Sequence, residues 1–424
     1  MIEANNPKLT SWIAVDNDSD FPIQNIPFGI GKPQHKSPRP LSRIGDFAID
    51  LSVLSDYGFF DDLKIENYGV FYAPVLNDLM ELGKPLWKSI RNRISEIFKE
   101  ENAQLRDDKV IRKEAIIPMN EVEMMMPVEV GDYTDFYSSV EHATNVGAMF
   151  RDPDNALLPN WKHIPIGYHG RSSSIVVSGT DIHRPKGQYK LDTEEKPQFG
   201  PCRLFDFELE MAFITGSKTK LGESIDIKNA EDHIFGLVLF NDLTARDIQK
   251  WEYVPLGPFL GKNFGSVVSP WIVTLEALEP FRTDGPKQEP EVLPYLQFNG
   301  ARNFDVSLEV YLQPENSDKS IVCQSNLKYL YWNMSQQLAH HTVNGCNINP
   351  GDMYASGTIS GPTPDSYGSM LELSWKGTKT ITLKDGSERK FVNDNDTIIM
   401  KGYAIKDGVR IGFGDCVTKV LPTL

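Results

Sequence analysis

The sequence predicts a mainly β protein with some α: a small β-barrel with helices over residues 1–120, then a large strand-dominated domain over 121–424. Three observations carry this. Roughly the first 70 residues are rich in Pro and Gly and hold short apolar runs, such as Arg43 to Leu51, which read as brief strands between turns. Two helical patterns and a charged stretch follow. Beyond them, short strand-like runs recur to the end of the chain, punctuated by Gly and Pro. At 424 residues, 40% of them hydrophobic, the chain is longer than a usual single domain and can bury a sizeable core.

In chain order, Ala73 to Leu82 has a helix-start Pro and then Leu and Met at helical spacing. Leu86 to Lys99 sets Leu86, Ile90, Ile94 and Phe98 on one stripe, with Trp87 and Ile97 beside it. A charged stretch from Glu100 to Glu114 leads to Ile116-Ile-Pro118, and the domain division is placed near residue 120. The later strand-like runs are Ser174–Ser178, Phe205–Phe213, Ile234–Phe240, Trp271–Thr274, Val306–Tyr311, Leu371–Trp375, Lys379–Leu383 and Val409–Phe413. No internal repeat or low-complexity tract interrupts them.

The net charge of −15 argues against nucleic acid and anionic membranes as partners. No segment approaches the roughly 20 apolar residues that span a bilayer. The first ten residues have neither the basic start nor the apolar stretch of a signal peptide. Cys202, Cys323, Cys346 and Cys416 are far apart without Cys-x-x-Cys spacing, as expected of reduced thiols in a cytosolic protein.

The richest segment is Phe205-Asp-Phe-Glu-Leu-Glu-Met-Ala-Phe213. Strand side chains alternate, so the aromatic and aliphatic residues share one face and Asp206, Glu208 and Glu210 the other. Carboxylates two positions apart sit roughly 6–7 Å from each other and repel by about 2–3 kcal/mol at an effective dielectric near 20. A hard divalent cation, which prefers oxygen ligands, would reverse that repulsion. An exposed acidic edge strand is the other reading.

Four further places carry candidate chemistry. In Asn241 to Glu252, Asp242 ends a strand, and Arg246 and Gln249 would share its face in a following helix. In Asp132 to Arg151, Thr134 and Asp135 can cap a helix beginning near Phe136, with His142 two turns along. Lys262 sits between glycines in Gly257–Gly265, either a backbone-lined ligand loop or a surface turn. Thr358 sits in the Gly-rich Ala355–Pro362 loop, and Glu372, read as a strand residue, either faces solvent or orients a histidine. No nucleophile elbow, zinc-protease motif or dinucleotide fingerprint appears in context.

Together these segments resemble the fumarylacetoacetase (fumarylacetoacetate hydrolase) family. The resemblance covers nearly the whole chain. It rests on Asp132-Tyr-Thr-Asp-Phe-Tyr-Ser-Ser139 with His142-Ala-Thr-Asn-Val-Gly147, Pro165-Ile-Gly-Tyr-His-Gly-Arg171, Phe207-Glu-Leu-Glu210, Asn241-Asp-Leu-Thr-Ala-Arg-Asp247, Gly257-Pro-Phe-Leu-Gly-Lys262, His341-Thr-Val-Asn-Gly-Cys346 and Ala355-Ser-Gly-Thr-Ile-Ser-Gly-Pro362. It implies an SH3-like N-terminal barrel, a β-sandwich roll catalytic domain and a homodimer. It also implies hydrolysis of a carbon–carbon bond in a dicarboxylate diketone, at the end of tyrosine and phenylalanine breakdown. Carried over by position, the Ca²⁺ ligands fall on Asp135, Glu208, Glu210 and Asp242. A Mg²⁺ site falls on Asp242, Lys262 and Ser266, with Ser in place of an expected Thr. The water-activating base falls on His142, oriented by Glu372. Arg246, Gln249 and Lys262 are the charge-stabilising groups. The substrate contacts fall on Tyr137, Arg151, Gln249, Tyr253 and Thr358. Relatives acting on acylpyruvates or oxaloacetate share the acidic pattern, and a non-catalytic metal-binding scaffold would keep the fold.

Overall fold

The computed structural model describes residues 2–424. Near the N-terminus, five antiparallel strands form one sheet in the order Ile116–Pro118, Phe47–Asp50, Arg39–Ile44, Gly29–Pro33, Val122–Met125. Because Val122–Met125 pairs with Gly29–Pro33, a division at residue 120 would cut this sheet. A division after Met125 keeps it whole, and we propose that boundary. The second helical pattern becomes the Lys84–Phe98 helix, which buries Trp87, Ile90, Ile94, Ile97 and Phe98. The first contracts to Asn77–Glu81, with Leu79 and Met80 buried.

The rest of the chain is built on two larger sheets. One has the order Gly167–His169, Tyr133–Phe136, Met353–Ala355, Leu209–Thr215, Ile234–Asp242, Ser266–Val268, Ile175–Val177, with Val273–Thr274 on its side. The other runs Ser320–Asn326, Ser307–Gln313, Thr397–Lys406, Cys416–Leu421, Ile182–His183, with Val409–Gly412 attached. Leu237 and Leu239 of the first share a core with Leu308, Val310, Ile398 and Met400 of the second, so the two pack as a sandwich.

The Leu209–Thr215 strand explains why the acidic face is not an exposed edge. It is flanked by Ile234–Asp242 and Met353–Ala355 and is buried along its whole length. Leu209, Met211 and Phe213 enter the sandwich core, while Ala212 and Ile214 face the N-terminal residues. Those residues are seated there by Phe28 and Trp87, whose rings lie 5.5 and 5.1 Å from Phe235. Each fully buried aromatic of this kind contributes roughly 1.5–3 kcal/mol.

Two local expectations change. Leu371–Trp375 is not a strand: Met370–Leu373 forms a single helical turn, capped by Ser369, whose Oγ accepts from the Glu372 N–H at 3.3 Å. Asp135 does not cap a helix. It lies on the Tyr133–Phe136 strand, paired in parallel with Met353–Ala355, and the helix begins at Val140 with Ser139 as its cap.

Candidate active site

Three carboxylates from distant parts of the sequence meet beside the centre of the large sheet. Asp135 comes from Tyr133–Phe136, Glu210 from Leu209–Thr215 and Asp242 from the end of Ile234–Asp242. One oxygen of each lies within 4.8 Å of the others, and all three residues are buried. At an effective dielectric near 20, such charges repel by about 3–4 kcal/mol per pair. Burial, followed by mutual repulsion, pushes Asp135 and Glu210 well above the usual carboxylate range. Asp242 is also raised, by burial, with Lys262 opposing. Asp135 Oδ1 and Glu210 Oε1 have no hydrogen-bond partner among the described residues. Three convergent oxygens with lone pairs to spare fit a hard divalent cation.

Gly357 closes one side of this group. Its N–H donates to Glu210 Oε2 at 3.0 Å. Its φ is +76°, and a Cβ there would stand 2.2 Å from the Phe136 carbonyl oxygen. Only glycine fits so close a backbone approach without strain. Next to it, Thr358 is buried with its hydroxyl unpartnered among the described residues.

Glu208 stands apart from the trio. Its carboxylate accepts from Arg246 Nη2 at 2.6 Å and from Lys262 Nζ, and Lys262 also pairs with Asp242. Burial opposes ionisation of Glu208, but Arg246 and Lys262 outweigh it and hold its pKa below the usual range. Lys262 is therefore no surface turn; it is 8% exposed and wedged between two carboxylates. Ser266 Oγ donates to the other oxygen of Asp242 at 2.9 Å, so Lys262 and Ser266 both bind Asp242, the one carboxylate of the three. Asp242 lies on a strand, and the helix carrying Arg246 starts only at that residue. Arg246 and Gln249 do share a helix face, joined by a 3.3 Å contact from Nη1 to Oε1.

His142 and Glu372 form a buried dyad, with Nδ1 2.6 Å from Oε2. An ionised carboxylate can only accept, so Nδ1 carries the hydrogen, and in the neutral ring Nε2 then presents a lone pair. Glu372 also accepts from Asn145 Nδ2, Ser360 Oγ and Ser369 Oγ, each at 2.9 Å. Burial opposes its ionisation, but His142, Asn145 and Ser360 prevail and lower its pKa. The Tyr137 ring meets the His142 ring edge-on at 5.4 Å. Arg151 donates to the Ala156 carbonyl and sits at the rim, within electrostatic reach of Tyr137. Tyr253 is half exposed on the loop after the Arg246–Glu252 helix.

Several further groups take part in the site. Asn145 lies three residues after His142, on the same helix face, which spacing can reveal. Asp206 shares the alternation of Glu208 and Glu210. Tyr133 and Tyr168 place buried phenols in the field of Asp135 and Asp242. Ser360 carries no local signal, because its role depends on a residue brought in by the fold.

Comparisons with known proteins agree along the whole chain. Residues 24–127 match the family described as fumarylacetoacetase N-terminal, and residues 132–421 match fumarylacetoacetate hydrolase C-terminal. The chain is 56% identical to fumarylacetoacetase of Dictyostelium discoideum, covering 98% of each chain. It is 54% identical to the Homo sapiens enzyme of that name, over 98% of this chain and 99% of the other. A solved fumarylacetoacetate hydrolase from psychrophilic Exiguobacterium antarcticum shares the fold, with a TM-score of 0.52 at 16% identity over 94% of this chain and 99% of that one.

Proposed function

The chain belongs to the fumarylacetoacetase family, and from that premise we propose that it hydrolyses the carbon–carbon bond of 4-fumarylacetoacetate, giving fumarate and acetoacetate at the last step of tyrosine and phenylalanine breakdown. The observation that carries this reading is the buried His142–Glu372 dyad, joined at 2.6 Å, with His142 in electrostatic reach of Glu208 and the Glu372 turn bridged to Glu208 through Ser369. His142 Nε2, held in its basic tautomer by Glu372, takes a proton from water. The water adds to the substrate carbonyl. Arg246, Lys262 and Gln249 supply donors for the oxyanion and then for the enolate-like leaving group. Proton return to that carbon releases acetoacetate. Arg151, Tyr137, Tyr253 and Thr358 anchor the substrate's carboxylate ends and oxygens, which lets a chain of charge −15 accept a dianion.

A divalent cation held by Asp135, Glu210 and Asp242, with Glu208 as fourth ligand, would orient the diketone and absorb developing charge. We assign Ca²⁺ there, and Mg²⁺ beside Asp242, Lys262 and Ser266. A cytosolic homodimer completes the proposal. Trp251, Val254, Leu256, Phe259 and Leu260 form an exposed apolar segment that supports pairing, and the four cysteines are unpaired. No helix among the described residues is long and apolar enough to cross a membrane.

The test follows loss of fumarylacetoacetate absorbance with purified protein, beside acylpyruvate and oxaloacetate as competing substrates. His142→Ala is expected to lower turnover by about 10²–10⁴. A folded His142→Ala protein with near-normal turnover, or full activity in demonstrably metal-free protein, would contradict the assignment.

A further inference from the structure

One buried carboxylate has no part in the chemistry above, yet it touches both halves of the site. Asp206 is fully buried. Its Oδ1 accepts from the Met370 N–H at 2.7 Å. Its Oδ2 accepts from the Leu371 N–H at 3.0 Å and from Arg246 Nε at 2.8 Å. Met370–Leu373 is the single turn that carries Glu372. A turn that short cannot hold itself in water and takes its position from its anchors. Asp206 satisfies two of its free N–H groups and Ser369 caps a third. On the other side, Arg246 uses Nε on Asp206, Nη2 on Glu208 and Nη1 on Gln249, so Asp206 fixes one edge of the guanidinium plane.

We propose that Asp206 is a positioning residue: it locks the Glu372 turn to Arg246, so that the proton-accepting histidine and the oxyanion-binding guanidinium keep one fixed separation. The inference rests on the hydrolytic reading of the site. Asp206 acts through Glu372 and Arg246 and makes no contact with substrate. Every donor around it is an N–H, so an amide in its place must turn its own NH₂ toward one of them and lose that bond. A displacement of about 1 Å in such a frame can cost on the order of 10²-fold in rate.

Steady-state kinetics on the metal-loaded enzyme test this with Asp206→Asn, Glu372→Gln, Arg246→Ala and the Asp206→Asn/Glu372→Gln double variant, each checked for folding by circular dichroism. Asp206→Asn is expected to lower kcat by roughly 10–10²-fold with KM within about three-fold. On the Glu372→Gln background the same change should cost several-fold less than on the parent, because its route through Glu372 is already broken while that through Arg246 remains. Asp206→Glu retains the charge but not the reach; a folded Glu variant with a similar loss in kcat supports positioning over mere charge balance, and decides the matter if the Asn variant does not fold. Full kcat in either folded Asp206 variant, or the same loss on both backgrounds, overturns the proposal. If Glu372→Gln and Arg246→Ala are themselves fully active, the hydrolytic reading fails instead.

Discussion

Replacing Glu372 by Gln tests the dyad at constant volume. Glu372 is 1% exposed, and its two oxygens receive His142 Nδ1, Asn145 Nδ2, Ser360 Oγ and Ser369 Oγ. The hydroxyls can rotate to accept; the other two groups are less forgiving. If the new NH₂ stands where Oε2 was, His142 must present Nδ1 as acceptor, which moves its hydrogen to Nε2 and removes the lone pair that would take a proton from water. If it stands where Oε1 was, it opposes the Asn145 NH₂. The first arrangement abolishes general-base catalysis, worth about 10²–10⁴ in rate, which is about 2.7–5.5 kcal/mol of barrier. Stopped-flow absorbance at saturating substrate, with Ca²⁺ present, reads kcat directly. KM should change little, since both Glu372 oxygens are engaged by His142, Asn145, Ser360 and Ser369. A folded Glu372→Gln protein with kcat within about five-fold of the parent would refute the tautomer argument.

Gly357→Ala should lose at least about 2 kcal/mol in urea unfolding, because a side chain at φ +76° is strained and its Cβ meets the Phe136 carbonyl; an unchanged midpoint would refute this. His341 is lowered to about 4, by burial first and then by His169, with His340 adding to the effect and Asp132 opposing it. A histidine depressed from 6.5 leaves the unfolded chain with the extra proton, so stability is present above 6.5 and falls as pH drops toward 4. His341→Gln should flatten that fall by about 1–2 kcal/mol at pH 5, after discounting for the ring's partial exposure; parallel melting curves for the two proteins would count against it. Because burial and repulsion raise Asp135 and Glu210, binding of a divalent cation there should expel protons. Titration calorimetry in two buffers of different ionisation enthalpy measures the release, and identical heats would exclude it.

What could be read in the sequence was local. Period two set Asp206, Glu208 and Glu210 on one face before any partner was known, and the Ile90–Ile94–Phe98 stripe gave the Lys84–Phe98 helix. What could not be read depended on distant pairing. Thr134 and Asp135 are good cap residues, and the Met353–Ala355 and Gly167–His169 strands on either side of them make them strand instead. Lys262 resembles a turn until Glu208 and Asp242 arrive around it. The Glu372 turn does carry a local signal: Ser369-Met-Leu-Glu372 has the spacing of a capping box, while two leucines flanking a Glu are too few to establish alternation.

The divided roles of that acidic face follow from its geometry. Asp206, Glu208 and Glu210 take alternate positions from the short Phe205–Asp206 strand, through a bridge of Glu208 to Ser369, into Leu209–Thr215. Each step meets a different partner: the Glu372 turn with Arg246, then Arg246 with Lys262, then the Asp135 and Asp242 carboxylates. Arg246 bridges the first two steps, and Lys262, bound to both Glu208 and Asp242, bridges the second and third. The two cations thus tie Asp206, Glu208 and Asp242 into one connected frame. The frame stops short at its lower end, where Glu210 has the backbone N–H of Gly357 for a partner and, among the described residues, no cationic side chain bound to it. Positive charge is therefore supplied from within at the two upper steps and is lacking at the third, which is where a divalent cation has the most repulsion to relieve.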